Sequence, residues 1–336
     1  MHAAIYGLSG PALTADELAF FREVDPAGYI LFARNCGDPD QLKALTASLR
    51  AIHGRDDLPI LIDQEGGRVM RMRPPAWPAL PAGGAFDRLY RTAPASAIEA
   101  ARLNSRAIGL MLAGHGINVN CAPMLDVRQP DADQIVGDRA YGTEPMQVAA
   151  IGRAVLDGLA SAGVVGVVKH MPGHGRATAD SHKELPVVRA SAEELAVDLE
   201  PFEALRDAPM GMVAHILFEA WDAERPSSQS SFVIEQILRQ RIGFGGLLMT
   251  DDIGMEALSG SAGERSAAAL AAGCDLALHC SGKFDELLDV SRHVGAMTRP
   301  AAERLERAMA GREPASRSGP DFAEAVAVRD ELLALA

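Results

Sequence analysis

Short apolar runs alternate with longer amphipathic or alanine-rich stretches along the whole chain. Uninterrupted apolar runs of four to eight residues, bounded by turn residues, are typical of strands buried on both faces of a parallel sheet. We predict strands at residues 3–7, 28–32, 58–63, 116–121, 164–169, 210–215, 246–251 and 275–279. Regular alternation of strand and helix indicates an α/β fold with a parallel sheet.

The segments between these strands carry recognisable helix start signals. Thr14-Ala15-Asp16-Glu17 is a capping box, and Asp38-Pro39 combines an N-cap residue with proline at the first helical position. Further helices are predicted at residues 95–113, 144–162, 191–206, 232–241, 264–272 and 284–294. The remaining residues, 298–336, are expected to form one or two helices, with a mobile connection at 311–319.

Eight strand–helix units within 336 residues fit a (β/α)8 TIM barrel with a C-terminal helical tail. An open, doubly wound sheet is the structural alternative. The chain has neither an internal repeat nor a flexible linker, so we expect a single domain over residues 1–336, with the barrel at about 1–296 and the helical tail at 297–336.

Composition limits the classes of partner. The net charge of -13 argues against a nucleic-acid or anionic-membrane surface, since both require clustered Lys and Arg. The four cysteines, Cys36, Cys121, Cys274 and Cys280, lack CxxC spacing and are expected to be buried free thiols. Without a basic leader or a long apolar segment, the chain is expected to be cytoplasmic and monomeric.

The densest cluster of chemically active side chains is residues 169–182, KHMPGHGRATADSH, directly after the apolar run 164–168. Its proline and glycines exclude a helix, so His170, His174 and His182 are expected on a loop with tight turns. That loop follows the fifth strand. In TIM barrels the active site forms at the carboxyl ends of the strands.

Polar residues follow most of the other predicted strands as well. They are Asp63, Glu65, Arg68, Arg71 and Arg73 after the third, Asn118, Asn120, Asp126 and Arg139 in and after the fourth, and His215, Asp251, Asp252 and His279 at later strand ends. Any one of them is open to a structural explanation as a helix cap or an ion pair. Their common position at one end of the barrel indicates a site.

This set of groups suits acid–base and nucleophilic chemistry. A carboxylate at a strand end, opposed by a His–Asp pair, supplies a nucleophile and a proton donor, while Arg and Lys donate to substrate oxygens. The motifs GxSxG, GxGxxG and the P-loop do not occur. A zinc site is the rival interpretation, because His170, His174, Asp180 and His182 are all possible ligands. HExxH is missing, and we expect neither a metal nor another cofactor.

Several blocks, taken together and in order, resemble the bacterial β-N-acetylglucosaminidases of glycoside hydrolase family 3, the cytoplasmic enzymes of peptidoglycan recycling. The blocks are ILFARN at 30–35, DQEGGRVMR at 63–71, GINVNCAPMLDV at 116–127, KHMPGHG at 169–175 with DSH at 180–182, and TDDIGM at 250–255. The resemblance implies a TIM barrel that removes β-linked N-acetylglucosamine from 1,6-anhydro-N-acetylmuramic acid, with or without attached peptide. The expected partner is therefore a small muropeptide-derived disaccharide.

The resemblance also implies residue roles. Asp251 matches the nucleophile, and His182, paired with Asp180, matches the acid/base. The positions implied to bind the sugar are Asp63, Arg71, Arg139, Lys169, His170 and Met255. Retaining glycosidases usually use two carboxyl groups about 5–5.5 Å apart, and here His182 replaces one of them. A catalytically silent sugar-binding or sensing protein on the same barrel is the alternative, and turnover of a chromogenic glucosaminide separates the two.

Overall fold

The computed structural model describes residues 1–129, 136–177, 179–181, 184–311 and 319–336. Eight parallel strands close into a barrel in the order β1-β10-β9-β7-β5-β4-β3-β2, and β6 pairs with β8 in a separate sheet. The strands are β1 (His2–Gly7), β2 (Pro26–Leu31), β3 (Ile60–Ile62), β4 (Val119–Asn120), β5 (Val165–Met171), β6 (Val187–Val188), β7 (Met210–Val213), β8 (Leu217–Phe218), β9 (Leu247–Asp252) and β10 (Leu276–His279). The predicted TIM barrel is therefore confirmed.

Helices surround the barrel. They are α1 (Ala15–Val24), α2 (Pro39–His53), α3 (Gly83–Tyr90), α4 (Pro94–Ala113), α5 (Pro145–Ser161), α6 (Ala196–Ala204), α7 (Ala262–Ala272), α8 (Phe284–His293), α9 (Arg299–Ala310) and α10 (Phe322–Leu333), with a π-helix at Val233–Arg241. The predicted capping box is present, because Thr14 accepts from the N–H of Glu17 at 3.1 Å and Glu17 accepts from the N–H of Thr14 at 2.9 Å. Asp38 caps α2, which begins at Pro39.

The barrel strands are mainly apolar, as is expected for strands in which almost every residue is buried. β2, β3 and β5 have no residue that is even partly exposed, and β1 and β9 have one each, at an end of the strand. Parallel pairing brings all the carboxyl ends to one end of the barrel. Side chains at the ends of β3, β5 and β9 therefore face the same space although they are far apart in sequence.

The C-terminal segment forms two helices, as predicted. Phe322 and Ala325 of α10 pack against Leu103 and Ala107 of α4, and α9 precedes α10 in the chain. The mobile connection predicted at 311–319 falls mainly on residues 312–318, which lie outside the described ranges. Within the described ranges, no helix combines the length and the apolar character needed to cross a membrane.

Four local features differ from the sequence prediction. β5 continues to Met171, so His170 lies in the strand and not on the following loop. The extension is stabilised by the preceding segment, where the N–H of Leu125 donates to the carbonyl oxygen of Lys169 at 2.6 Å. Helix α3 and the small β6–β8 sheet were not predicted, and the helix predicted at 232–241 is a π-helix.

Candidate active site

A cavity of about 230 Å³ lies at the carboxyl end of the barrel strands. Its lining is Ile30, Phe32, Asp63, Val69, Arg71, Arg139, Lys169, His170, Met212, Asp251, Asp252, Met255, Leu278 and Cys280. Seven of the nine residues assigned from the sequence are among them; Asp180 is not, and His182 lies outside the described residues. Residues from β2, the β3 loop, β5 and β9 therefore converge on one space.

Asp251, near the end of β9, presents its carboxylate to this cavity. Its side chain is almost wholly buried, and Oδ1 accepts from the N–H of Asp252 at 2.8 Å. Burial alone would raise the pKa of Asp251, but the facing imidazoles of His170 and His215, together with this hydrogen bond, lower it. Asp251 is therefore an ionised carboxylate at neutral pH, as a nucleophile requires.

The two other polar groups at this strand end support the backbone around Asp251. Oδ1 of Asp252 accepts from the N–H groups of Gly254 at 2.9 Å and Cys280 at 3.1 Å, which fixes the turn after β9. His215 lies behind the strand and does not line the cavity, with Nε2 3.1 Å from the carbonyl oxygen of Asp252. Of the two adjacent aspartates, only Asp251 has its carboxylate outside this turn.

A chain of five ion-paired residues, Arg71–Asp63–Lys169–Glu65–Arg139, runs along one wall. Arg71 Nη2 lies 3.0 Å from Oδ2 of Asp63, whose Oδ1 lies 2.9 Å from Lys169 Nζ. Lys169 Nζ also lies 2.6 Å from Oε1 of Glu65. Arg139 then binds both Glu65 oxygens, at 2.7 Å through Nη2 and 2.9 Å through Nε. Four of the five line the cavity, and Glu65 supports two of them from outside it.

Both carboxylates among these five ion-paired residues are ionised. Burial would raise the pKa of Asp63, but Lys169 and Arg71 outweigh it and bring that pKa to about 2. Burial likewise opposes ionisation of Glu65, and Arg139 with Lys169 holds its pKa well below the ordinary value. Three cations and two carboxylates leave one net positive charge. The wall therefore offers N–H donors to the oxygens of a polar ligand.

Buried amides build the loop that delivers Arg71. Gln64 Oε1 accepts from the N–H groups of Arg71 at 2.9 Å and Met72 at 3.1 Å. Asn120 accepts from the N–H of Gln64 and donates to its carbonyl oxygen, both at 3.0 Å. Asn118 accepts from the N–H of Ile60 in β3 and donates to the carbonyl oxygen of Leu58 just before that strand. Asn120 therefore holds the loop and Asn118 the start of β3, and neither of these residues, which the sequence grouped with the site, lines the cavity.

His170 lines the cavity and is held by a buried carboxylate, Asp126. Nδ1 of His170 lies 2.7 Å from Oδ2 of the fully buried Asp126, and the N–H of His174 donates to Oδ1 at 2.6 Å. The rings of His170 and His174 meet edge to face, with centroids 5.7 Å apart. His174 is buried and does not line the cavity, although the sequence grouped it with the site.

The loop that bears Asp180 contacts the turn after β9. The carbonyl oxygen of Ser181 accepts from the N–H of Ala257 at 3.3 Å, and Ser181 Oγ lies 3.6 Å from the sulfur of Met255 in the cavity wall. Asp180 is half-buried next to this anchor. His182 lies outside the described residues. The contacts therefore bring the start of the DSH block to the edge of the cavity.

Within the described ranges, no group of three or more His, Cys, Asp and Glu side chains has the arrangement of a metal site. Three of the four residues considered as zinc ligands, His170, His174 and Asp180, lie in this part of the chain, and they do not form such a group there. The cysteines are free thiols, and only Cys36 is not fully buried.

Two residues of functional interest were not given roles from the sequence. Glu65 binds two cations of the cavity wall, and Asp126 binds His170. Both follow predicted strands and lie inside the blocks that resemble the glycosidases, but neither signal identifies their partners. Arg139 is 74 positions from Glu65 and His170 is 44 positions from Asp126, so no local pattern reveals the pairing.

Comparison with known proteins agrees with this geometry. The profile of the glycosyl hydrolase family 3 N-terminal domain matches residues 13–308. The β-hexosaminidase of Methylococcus capsulatus is 38% identical over 313 residues, which span 92% of this chain and 91% of that protein. NagZ from Neisseria gonorrhoeae, solved in complex with N-trifluoroacetyl-D-glucosamine, superposes with a TM-score of 0.88 at 29% identity, over 99% of this chain and 98% of that one.

A further similar structure is a family 3 β-N-acetylglucosaminidase from Paenibacillus, with a TM-score of 0.83 at 30% identity. The match covers 98% of this chain and 66% of that one. The sequence profile gives the family, and the relative and the Paenibacillus structure carry the activity. The chain therefore belongs to glycosyl hydrolase family 3, and it is a bacterial β-N-acetylhexosaminidase that hydrolyses β-linked N-acetylglucosamine.

Proposed function

We propose that the enzyme removes terminal β-linked N-acetylglucosamine from N-acetylglucosaminyl-1,6-anhydro-N-acetylmuramic acid and its peptide derivatives, with retention of configuration. The observation that carries this proposal is Asp251, an ionised, buried carboxylate in a cavity that Asp63, Lys169 and Arg139 also line. A nucleophile needs its charge, and a sugar ring needs hydrogen-bond partners for its hydroxyl and acetamido groups. Both requirements are met in one space.

Hydrolysis proceeds in two steps. The Asp251 carboxylate attacks the anomeric carbon as the bond to the leaving sugar oxygen breaks, which gives a covalent glycosyl-aspartate. His182 donates its proton to the departing oxygen, and as a neutral base it then removes a proton from the water that cleaves the intermediate. Asp180 orients the imidazole and stabilises its charged form. Asp251 leaves the cycle as a carboxylate.

Cavity size supports cleavage at a chain end. Pockets for drug-sized ligands are typically about 300–1,000 Å³, and the cavity here is about 230 Å³. One pyranose with its acetamido group suits such a space, whereas several consecutive sugars do not. Asp63, Arg71, Arg139, Lys169 and His170 bind that sugar in this proposal, and Met255 contacts it through the cavity wall.

Peptidoglycan recycling is the proposed setting, because a 1,6-anhydromuramic product arises in the turnover of cell wall. The strongly negative chain, with a net charge of -13, suits a small soluble saccharide better than a nucleic acid or a membrane surface. A cytoplasmic monomer without a cofactor completes the proposal.

Anomer-resolved NMR on the natural disaccharide tests both parts. The purified enzyme should release N-acetylglucosamine first as the β-anomer, and it should cleave the anhydromuramic disaccharide with a higher kcat/KM than chitobiose. Asp251→Asn serves as the control for contaminating hydrolases. First appearance of the α-anomer would contradict retention, and faster cleavage of chitobiose would contradict the substrate.

A further inference from the structure

Asp126 is a fully buried carboxylate just beyond β4, outside the cavity lining. Its oxygens accept from three donors, all on one neighbouring stretch. Oδ2 lies 2.7 Å from His170 Nδ1, while Oδ1 accepts from the N–H groups of His174 at 2.6 Å and His170 at 3.3 Å. Burial would raise the pKa of Asp126, but His170 and these bonds lower it, so the carboxylate is ionised.

An ionised carboxylate is an acceptor only, and this fixes the tautomer of His170. Nδ1 must carry a proton to make its 2.7 Å contact with Asp126. Because that edge of the ring is occupied and His170 lines the cavity, Nε2 is the ring atom presented to the bound sugar. Asp251 lines the same cavity, so the imidazole and the nucleophile share one space.

The same carboxylate forms part of the base of the loop that leads to Asp180. Besides the bond from His174 to Asp126, the N–H of Gln129 donates to the carbonyl oxygen of Gly175 at 3.2 Å. A Cβ atom at Gly175 would lie only 1.9 Å from the carbonyl oxygen of Val127, so the two backbones touch. The first turn of the loop is therefore pressed against residues 126–129.

We propose that Asp126 is a positioning residue for hydrolysis. It orients His170 Nε2 toward the sugar, and through His174 it fixes the base of the loop that carries Asp180 and His182. The first part depends only on the geometry of the cavity. The second part rests on the proposed function, because it assumes that His182 is the proton donor.

The tautomer of His170 tests the first part without reference to catalysis. In ¹⁵N-histidine-labelled enzyme, with the signal assigned through His170→Gln, Nδ1 should carry a proton and should lose that preference in Asp126→Asn. Measurement on the wild type alone is decisive if the variant does not fold. A wild-type His170 protonated at Nε2 and not at Nδ1 would overturn the proposal.

Kinetics test both parts together. Loss of a hydrogen bond to a charged group typically costs about 10–100-fold, so Asp126→Asn should lose kcat/KM within that range on a dinitrophenyl glucosaminide. The loss on the natural disaccharide should be larger, because only that substrate needs protonation. In His170→Ala, adding Asp126→Asn should cost nothing further on the activated glycoside. A fully additive loss there would overturn the proposal.

Asp275 provides a matched control. It is a buried carboxylate paired with Arg239 at 2.8 Å and Arg304 at 2.7 Å, at the start of β10 and so at the opposite end of the barrel. Asp275→Asn should lower stability while leaving the His170 tautomer and the kcat/KM ratio between the two substrates unchanged. If it changes them as Asp126→Asn does, the effect is general destabilisation and the proposal fails. A separate experiment, trapping with a fluoro glucosaminide, tests the proposed function. If the trap does not label Asp251, the proposed function fails, while the result on the His170 tautomer still holds.

Discussion

Arg139 binds Glu65 through two parallel contacts, Nη2 to Oε1 at 2.7 Å and Nε to Oε2 at 2.9 Å. The same Oε1 lies 2.6 Å from Lys169 Nζ. Glu65 does not line the cavity, yet it is the shared partner of two cations that do. The geometry of the charged wall therefore depends on a residue that does not line the cavity.

Glu65→Gln keeps the shape of this side chain and removes its charge. Breaking a buried ion pair by neutralising one partner typically costs about 3–5 kcal/mol, so the free energy of unfolding, measured in urea, should fall by that order. KM should rise more than kcat falls, because the wall binds the sugar in the ground state and the nucleophile is untouched. Glu99→Gln, which neutralises an exposed pair with Arg102, should change stability by less than about 1 kcal/mol. Equal effects of the two variants would contradict the role of Glu65.

Asp63 should make stability depend on pH in the acid range. Its pKa is about 2 in the folded chain against an ordinary value of 3.8. A depressed carboxylate contributes stability above the unfolded pKa and loses it as pH falls through the folded one. This difference between the folded and ordinary pKa values corresponds to on the order of 2 kcal/mol in the free energy of unfolding. The gap in unfolding free energy between wild type and Asp63→Asn should be largest near neutral pH and should shrink below about pH 4. Parallel pH profiles of the two proteins would contradict the pairing.

The barrel strands were predictable because each is an apolar run set by burial on both faces. Asp63, Lys169 and Asp251 could be assigned to the site from the sequence, because parallel strands end at one rim of the barrel and because the motifs that contain these residues are specific. The functional interpretation of Glu65 and Asp126 was not predictable, since it depends on distances between residues far apart in the chain. His170 was placed on a loop because the turn residues that follow it hid the continuation of β5, which depends on backbone pairing with residues 123–125.

Removal of metal should leave activity unchanged. The cavity wall carries Lys169, Arg71 and Arg139, whose positive charge repels a divalent cation, and His170 Nδ1 is already bound to Asp126. Dialysis against a strong chelator followed by assay with a chromogenic glucosaminide checks this. Stoichiometric zinc in the purified protein, with activity lost on its removal and restored on its return, would contradict the prediction.

His182→Ala should harm the enzyme in proportion to how much the leaving group needs a proton. General acid catalysis contributes about 10²–10⁴-fold, so a loss of that size is expected on the disaccharide. A dinitrophenolate leaves almost without help, so the loss in the bond-breaking step should be much smaller there. Measurement of kcat/KM over a series of aryl leaving groups gives the slope of log kcat/KM against the pKa of the leaving group. A slope identical to that of the wild type would remove His182 from the mechanism.

Asp180→Asn should show the same dependence on the leaving group, but more weakly. The amide keeps much of the side-chain shape and loses the charge that stabilises imidazolium, while the proton donor stays in place. The leaving-group series used for His182 measures this effect, with thermal unfolding as the control for loop damage. Equal losses on every substrate, together with a lower melting temperature, would indicate a structural role for Asp180.

Asp251 as the covalent nucleophile is the claim on which the mechanism depends most. A 2- or 5-fluoro glucosaminide slows hydrolysis of the intermediate, so a trapped enzyme can be digested and sequenced by mass spectrometry. The label should lie on Asp251, and Asp251→Ala should fold normally, lose nearly all activity and take up no label. Label on Asp252, or a trapped enzyme with no modified carboxylate, would contradict the mechanism.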